Sequence, residues 1–159
     1  MGESEGYPRY VSSPDIFTEN FSAGIDYLGL LPFVNREQIG AIGICGSGGF
    51  ALSATQMDTR IKAVATASMY DMTVASRLGM DKETIQATKE KLSKQRWIDA
   101  QNGYPEYIPY FPDKPLEKVP EDLTEPTAEW FRFYALKRGH HINALGGFTT
   151  TSNLSFYEL

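Results

Sequence analysis

The apolar residues Ile16, Phe17, Phe21, Ile25, Tyr27, Leu28 and Leu31 recur at mixed three- and four-residue steps. That spacing lines one face of an α-helix. Pro14 and Asp15 open the pattern, Asp15 or Thr18 is suited to cap it, and Pro32 ends it. After the turn Asn35-Arg36-Glu37 the period changes. Ile39-Gly40-Ala41-Ile42-Gly43-Ile44 is a short continuous apolar run, the signature of a strand buried on both faces of a parallel sheet. It breaks at Cys45-Gly46-Ser47-Gly48-Gly49, and Phe50, Ala51, Leu52, Ala54 and Met57 then fit a helix. Asp58-Thr59-Arg60 turns the chain into a second strand, Ile61 to Ala67. Strand, helix and strand in this order form a βαβ unit, and its crossover is expected to be right-handed.

Beyond Asp71 the pattern is different. Asp81 is placed to cap a charged helix from Lys82 to about Gln101, which Gly103 closes. Tyr104 to Pro126 is aromatic and proline-rich with few regular signals. Pro126 suits the first turn of a helix over Thr127 to Arg138, ended by Gly139. Residues 1–70 therefore read as part of an α/β core, and 71–159 as a mostly helical cap or insertion. The expected fold class is α/β, a partial and mostly parallel sheet with a helical cap insertion. Two parallel strands do not make a stable sheet alone, so further strands are expected from missing sequence or from a partner, and a homo-oligomer is the expected assembly.

Composition narrows the function. The chain is 42% hydrophobic and 13% aromatic, which supports a packed core and excludes a disordered segment. The net charge of −5 and the lack of a basic stretch argue against a nucleic-acid partner. No apolar run approaches the roughly 20 residues of a membrane helix, and the polar segment from Met1 to Tyr10 has no signal-peptide core. A cytoplasmic location is the default expectation. The single cysteine, Cys45, cannot form an intrachain disulfide, and with only the adjacent His140 and His141 beside it no metal site is expected. No cofactor is expected either. Gly48-Gly49 is followed by Phe50-Ala51 where a phosphate loop needs Lys-Ser or Lys-Thr.

The chemically informative stretch is Gly43 to Gly49. A nucleophile elbow needs a strand, one reactive residue on a strained turn, and a helix. Small residues must stand two before and two after the nucleophile, because strand and helix approach closely there. Centred on Cys45 these are Gly43 and Ser47; centred on Ser47 they are Cys45 and Gly49. Both fit sterically, and the end of the strand at Ile44 favours Cys45.

The segment GICGSGGFAL, preceded by REQIGAI and followed by DTRIKAVATASMYDM, resembles the dienelactone-hydrolase-like α/β-hydrolases. The upstream GESEGYPRYVSSPDIFTENFSAGIDYLGLLPFVN is similar to the loop and helix before the elbow of that family, and YALKRGHHINALGGFTTTSNLSFYEL to the end of its helical insertion. The resemblance implies that Cys45 is the nucleophile and that the Gly46 N–H donates to the oxyanion hole. It implies hydrolysis of an ester, lactone or related acyl bond in a small-molecule substrate. It further implies that one oxyanion strand precedes Met1 and that the acid and histidine follow Leu159. A substitute triad within the chain would draw on Asp71, just after the second strand, and on His140 or His141. The bland alternatives are that Cys45 is a small buried residue, that Asp71 caps a helix and that the histidines sit in a loop. Tyr104, Tyr107, Tyr110 and Phe111 either line an acyl pocket or pack a lid, while Trp97 and Trp130 are expected to pack.

Overall fold

In the computed structural model, residues 5–109, 114–141 and 147–157 are described. The α1 helix spans Pro14–Gly29. Proline is tolerated in a first turn because the N–H it lacks has no partner there, and Asp15 adds favourable negative charge. Neither Asp15 nor Thr18 caps the helix. Ser13 holds that position without a side-chain bond, and Thr18 is buried within the helix. The helix stops at Gly29, whose carbonyl accepts 2.6 Å from Arg36 Nε. Leu31, preceding Pro32, is disfavoured from helical geometry. Phe21 and Ile25 face the core, whereas Tyr27 and Leu28 face outward, so the apolar stripe is narrower than the sequence pattern suggests.

A 3₁₀ turn, Arg36–Gln38, capped by the Asn35 side chain, leads into strand β1, Gly40–Ile44. Helix α2 covers Ser47–Met57 and strand β2 covers Ala63–Ala67. The two strands pair in parallel, from Gly40 opposite Ala63 to Ile44 opposite Ala67. Ile25, Ile39, Ala54 and Ile61 form the core, with Phe21, Val34 and Ala41 packed against it. Ile25 of α1 and Ala54 of α2 thus meet the residues that lead into the two strands, Ile39 and Ile61, and α1 and α2 share the same side of the pair. Arg60 ties the turn after α2 to Asp58 and to Asp26 of α1, and that guanidinium holds the Asp58 carboxyl well below the usual carboxylate range.

The expectation that β1 is buried on both faces is not met. Gly43 is buried and Ala41 half-buried, but Ile42 and Ile44 are 72% and 63% exposed. Alternate residues of a strand point to opposite faces, and among the described residues nothing covers the second face of β1.

A short helix and a long one follow. Asp71 caps α3, Met72–Ser76, by accepting from the Thr73 and Val74 N–H groups and the Thr73 hydroxyl. Asp81 caps α4, Lys82–Asn102, through the Thr84 N–H, and Gly103 closes it at φ +75°. Only Ile85 and Leu92 of α4 are buried, so its charged residues form a solvated face.

The chain packs as two compact units. One comprises residues 12–94 and 153–159 and holds the parallel pair. There Phe50 lies between Phe17 and the buried Phe156, at ring-centroid distances of 5.0 and 6.4 Å. The other comprises residues 1–11 and 95–152. It contains a second sheet that the sequence pattern did not reveal, β3 (Tyr107–Pro109) antiparallel to β4 (Gly147–Thr149). Three-residue strands are too short for any period to register, and their pairing partners are distant in sequence. Tyr10 joins this unit by accepting from the Thr149 N–H. Helix α5, Thr127–Tyr134, is shorter than expected. The Ala135 carbonyl instead accepts from Leu116, whose neighbourhood bridges Leu136, and this pairing ends the helix before Arg138. Trp97 and Trp130, expected to pack, are 73% and 54% exposed.

Two outcomes test these contacts. A Cβ on Gly43 would lie 2.6 Å from both Gly48 Cα and Ser47 O, and backbone atoms cannot rotate away. Gly43→Val is expected to cost about 2–3 kcal/mol in urea unfolding; an unchanged midpoint would disprove the contact. Asp71→Ala is expected to remove about 1 kcal/mol by deleting the α3 cap. Hydrogen bonds from Thr73, chiefly through its hydroxyl, lower the Asp71 pKa. The cap therefore stabilises fully above the carboxyl's unfolded pKa and is lost as pH falls through the lower folded value. Stability curves of wild type and Asp71→Ala should converge in acid, and parallel curves would refute the cap.

Candidate active site at the end of strand β1

The site is built by a sharp turn. Cys45 follows the last residue of β1 and precedes α2 by one residue. Its backbone sits at φ +59°, a left-handed conformation that is strained for a residue with a Cβ. Surrounding contacts fix it there. The Cys45 N–H donates 3.0 Å to Ala67 O at the end of β2, and the Cys45 carbonyl accepts 3.0 Å from Gly48 N–H in the first turn of α2. The Cys45 side chain is exposed. It stands at the carboxyl end of a parallel pair, where α/β sheets gather their ligands, and at the positive end of an 11-residue helix.

Ser47 is occupied otherwise. Its hydroxyl donates 2.7 Å to the Ile44 carbonyl and accepts 3.1 Å from the Ile44 N–H. It clamps the end of the strand to the start of the helix. Gly46 is the N-cap of α2, and a Cβ there would lie 2.7 Å from Met72 Sδ. A Cβ on Gly48 would lie 2.5 Å from Met69 Cγ. The segment after β2 thus folds closely over the glycines of the turn.

Tyr70 is the residue that sequence reasoning missed. The Cys45 thiol beside its hydroxyl, ahead of burial, pushes the Tyr70 pKa up, and that hydroxyl lies 3.8 Å from where a Cβ on Gly46 would stand. The available signal was position: Tyr70 stands three residues past the end of β2, at the same carboxyl edge that drew attention to its neighbour Asp71. Asp71 itself is committed to the α3 cap.

His140 and His141 belong to the other compact unit. The His140 N–H donates 3.2 Å to Leu136 O, and its Nε2 is buried without a hydrogen-bond partner. In the same unit the Tyr107 hydroxyl donates to Gly147 O and its ring meets Tyr10 edge-on, so Tyr107 packs locally. Tyr104 is exposed, and Tyr110 and Phe111 lie outside the described residues. Among the described residues no group of three His, Cys, Asp or Glu side chains converges as a metal site, and no helix is long and apolar enough to cross a membrane.

Known proteins resemble this chain in sequence and in fold. The chain is 45% identical to the uncharacterized protein PA2218 of Pseudomonas aeruginosa over 99% of its own length and 43% of that protein. It is 34% identical to the uncharacterized protein YcjY of Escherichia coli K12, over 96% of this chain and 50% of YcjY. The chain therefore spans about half the length of the curated relatives it matches. The crystal structure of PA2218 superposes with a TM-score of 0.83 at 43% identity, covering 99% of this chain and 50% of that one. The α/β-hydrolase GrgF from Penicillium sp. sh18 superposes with a TM-score of 0.65 at 18% identity, over 100% of this chain and 51% of its own. That likeness carries the fold alone: an α/β-hydrolase fold, present here in part. The family model for the C-terminal domain of BAAT and acyl-CoA thioester hydrolases matches residues 16–123. By that match, spanning both parallel strands, α2 and the turn between them, the chain belongs to the BAAT / acyl-CoA thioester hydrolase C-terminal family.

Proposed function

We propose that this domain contributes the nucleophile of an acyl hydrolase, with Cys45 as the attacking residue on a nucleophile elbow. The observation that carries the reading is the conformation of Cys45: a positive φ that exposes a thiol between a parallel strand and the start of a helix. Ser47, the competing nucleophile, has its hydroxyl engaged on both sides by Ile44, which favours Cys45.

In this reading the Cys45 thiolate attacks the acyl carbonyl carbon. A carbon–sulfur bond forms and the carbonyl electron pair moves to oxygen. The Gly46 N–H, at the positive end of α2, is the oxyanion donor within the chain. Collapse of the intermediate expels the alcohol or thiol, which takes up the proton released when the Cys45 thiol ionised. Water then cleaves the acyl-cysteine, releasing the carboxylic acid and restoring the thiol. The substrate class is an ester, lactone or thioester. Lactones come from the dienelactone-hydrolase resemblance, and the thioester from the family's description. In this reading the base and acid of the triad are not among the residues placed at the turn, and the substitute set of Asp71 with His140 or His141 is the weaker arrangement, since Asp71 caps α3.

A second reading rests on a separate observation, the exposed Ile42 and Ile44 on the bare face of β1. A two-stranded sheet with an open apolar face suits a non-catalytic module completed by a second copy of the chain or by another chain.

Hydrolysis of p-nitrophenyl acetate and of an acyl-CoA thioester separates these readings. Cys45→Ala, or prior alkylation, should lower turnover at least about 100-fold, while Ser47→Ala should keep most of it. Undiminished turnover in Cys45→Ala would sink the thiol assignment. Since the hydrolase reading takes its base and acid from outside this chain, the chain alone is expected to be inactive under either reading, and no turnover favours the module only when it is seen in a folded dimer of a protein spanning the relatives' full length. His140→Ala and His141→Ala are expected to leave the rate within about threefold of wild type; abolition by either would instead establish the substitute triad.

A further inference from the structure

We propose that Met72, together with Met69, is a specificity-determining residue that lines the acyl side of the Cys45 turn and selects an uncharged aliphatic acyl group. The inference rests on the reading of Cys45 as the nucleophile and names the acyl class that this site takes. A Cβ on Gly46 would lie 2.7 Å from Met72 Sδ and 2.9 Å from Met72 Cγ, with the Tyr70 hydroxyl next at 3.8 Å. A Cβ on Gly48 would lie 2.5 and 2.8 Å from Met69 Cγ and Cβ. The two thioether side chains therefore fill the space that side chains at 46 and 48 would take, directly after the nucleophile. With the acyl oxygen on the Gly46 N–H, the acyl carbon bonded to Cys45 stands next to Gly46, and the chain it carries meets what packs on that residue.

Backbone geometry holds the two methionines there. Ser68, at φ +47°, turns the chain away from β2, and the Asp71 cap makes Met72 the first residue of α3. Between Ser68 and Leu78 the charged residues are Asp71 and Arg77. Asp71 accepts from the Thr73 and Val74 N–H groups, and Arg77 Nε donates 3.1 Å to the Thr73 carbonyl, so both are drawn to the α3 backbone. The same segment leaves Met69, Val74 and Leu78 exposed. A methionine side chain has three rotatable bonds and a polarizable sulfur, so it conforms to a flexible aliphatic chain. Contact removes apolar surface of both from water, whereas a charged group laid on thioethers gives up hydration that they cannot replace.

Because the chain has one cysteine, alkylation followed by intact mass measurement reports on Cys45 alone. The probes are iodoacetamide, its N-ethyl, N-butyl and N-hexyl derivatives, and the charged iodoacetate. Each rate is divided by that of 2-mercaptoethanol with the same reagent, which removes intrinsic reactivity. On the wild type the N-hexyl reagent is expected to outpace iodoacetamide about tenfold, and iodoacetate to fall below it. Met72→Ala should reduce the N-hexyl preference to about twofold, while Met72→Leu, which keeps apolar bulk, should retain most of it. Ile44→Ala, which trims the exposed apolar face of β1 beside the same cysteine, should leave it unchanged. Loss in Ile44→Ala but not in Met72→Ala would overturn the inference, as would a preference that Met72→Ala leaves intact at an unchanged melting temperature. Should Met72→Ala fail to fold, the wild-type series decides with Met72→Leu and Ile44→Ala: rates that rise with chain length and survive both support the methionine wall, and rates flat with length refute it. Alkylation needs no base or acid, so it is independent of turnover. Absent acyl hydrolysis by a protein spanning the relatives' full length would sink the hydrolase reading while alkylation still decides Met72; a flat series with hydrolysis intact would sink Met72 alone.

Discussion

Strand β1 and helix α2 approach so closely at Gly43 that a single added carbon would meet the backbone of Ser47 and Gly48. So tight a junction leaves one residue to reverse the chain, and Cys45 takes that position at φ +59°. Strain of this kind persists only where neighbouring contacts over-determine it. Here the bonds of Cys45 to Ala67 and Gly48, with the Ser47 clamp on Ile44, supply the constraint. The consequence is chemical: a side chain that would otherwise point along a strand is lifted clear of it.

The same economy of space governs what surrounds the thiol. Glycines at 46 and 48 admit Met72 and Met69, and this admits the Tyr70 hydroxyl to the turn. The small residues that allow the helix to close on the strand therefore also allow the segment after β2 to close on the helix. Asp71, the carboxylate nearest in sequence, is drawn into the α3 cap. An acid satisfied by two backbone N–H groups and a hydroxyl is stabilised as a carboxylate, and its oxygens are already engaged.

The bare face of β1 belongs to the same logic at a larger scale. Ile42 and Ile44 lie exposed while Ile39, Ala54, Ile61 and Ile25 are buried, so the apolar residues of β1 exceed what the described helices cover. The chain spans about half the length of its relatives, and the parallel unit carries the sequence of a doubly covered strand.

The sequence by itself determined the elements whose signals are local. The helical stripe from Phe17 to Ile25, the apolar run ending at Ile44, the glycines of the turn and the Asp81 cap each depend on residues a few positions apart, and their physics is legible at that range. Cys45 as the turn residue was legible for the same reason. Tertiary structure alone decided the rest. The pairing of β3 with β4, the early stop of α5 at the Leu116 contact and the choice of Tyr70 over Asp71 as the neighbour of the thiol depend on segments brought together across the fold. A hydrogen bond or a steric approach between residues 25 or 40 positions apart leaves no period in the chain, because it is the packing of intervening elements that sets the distance.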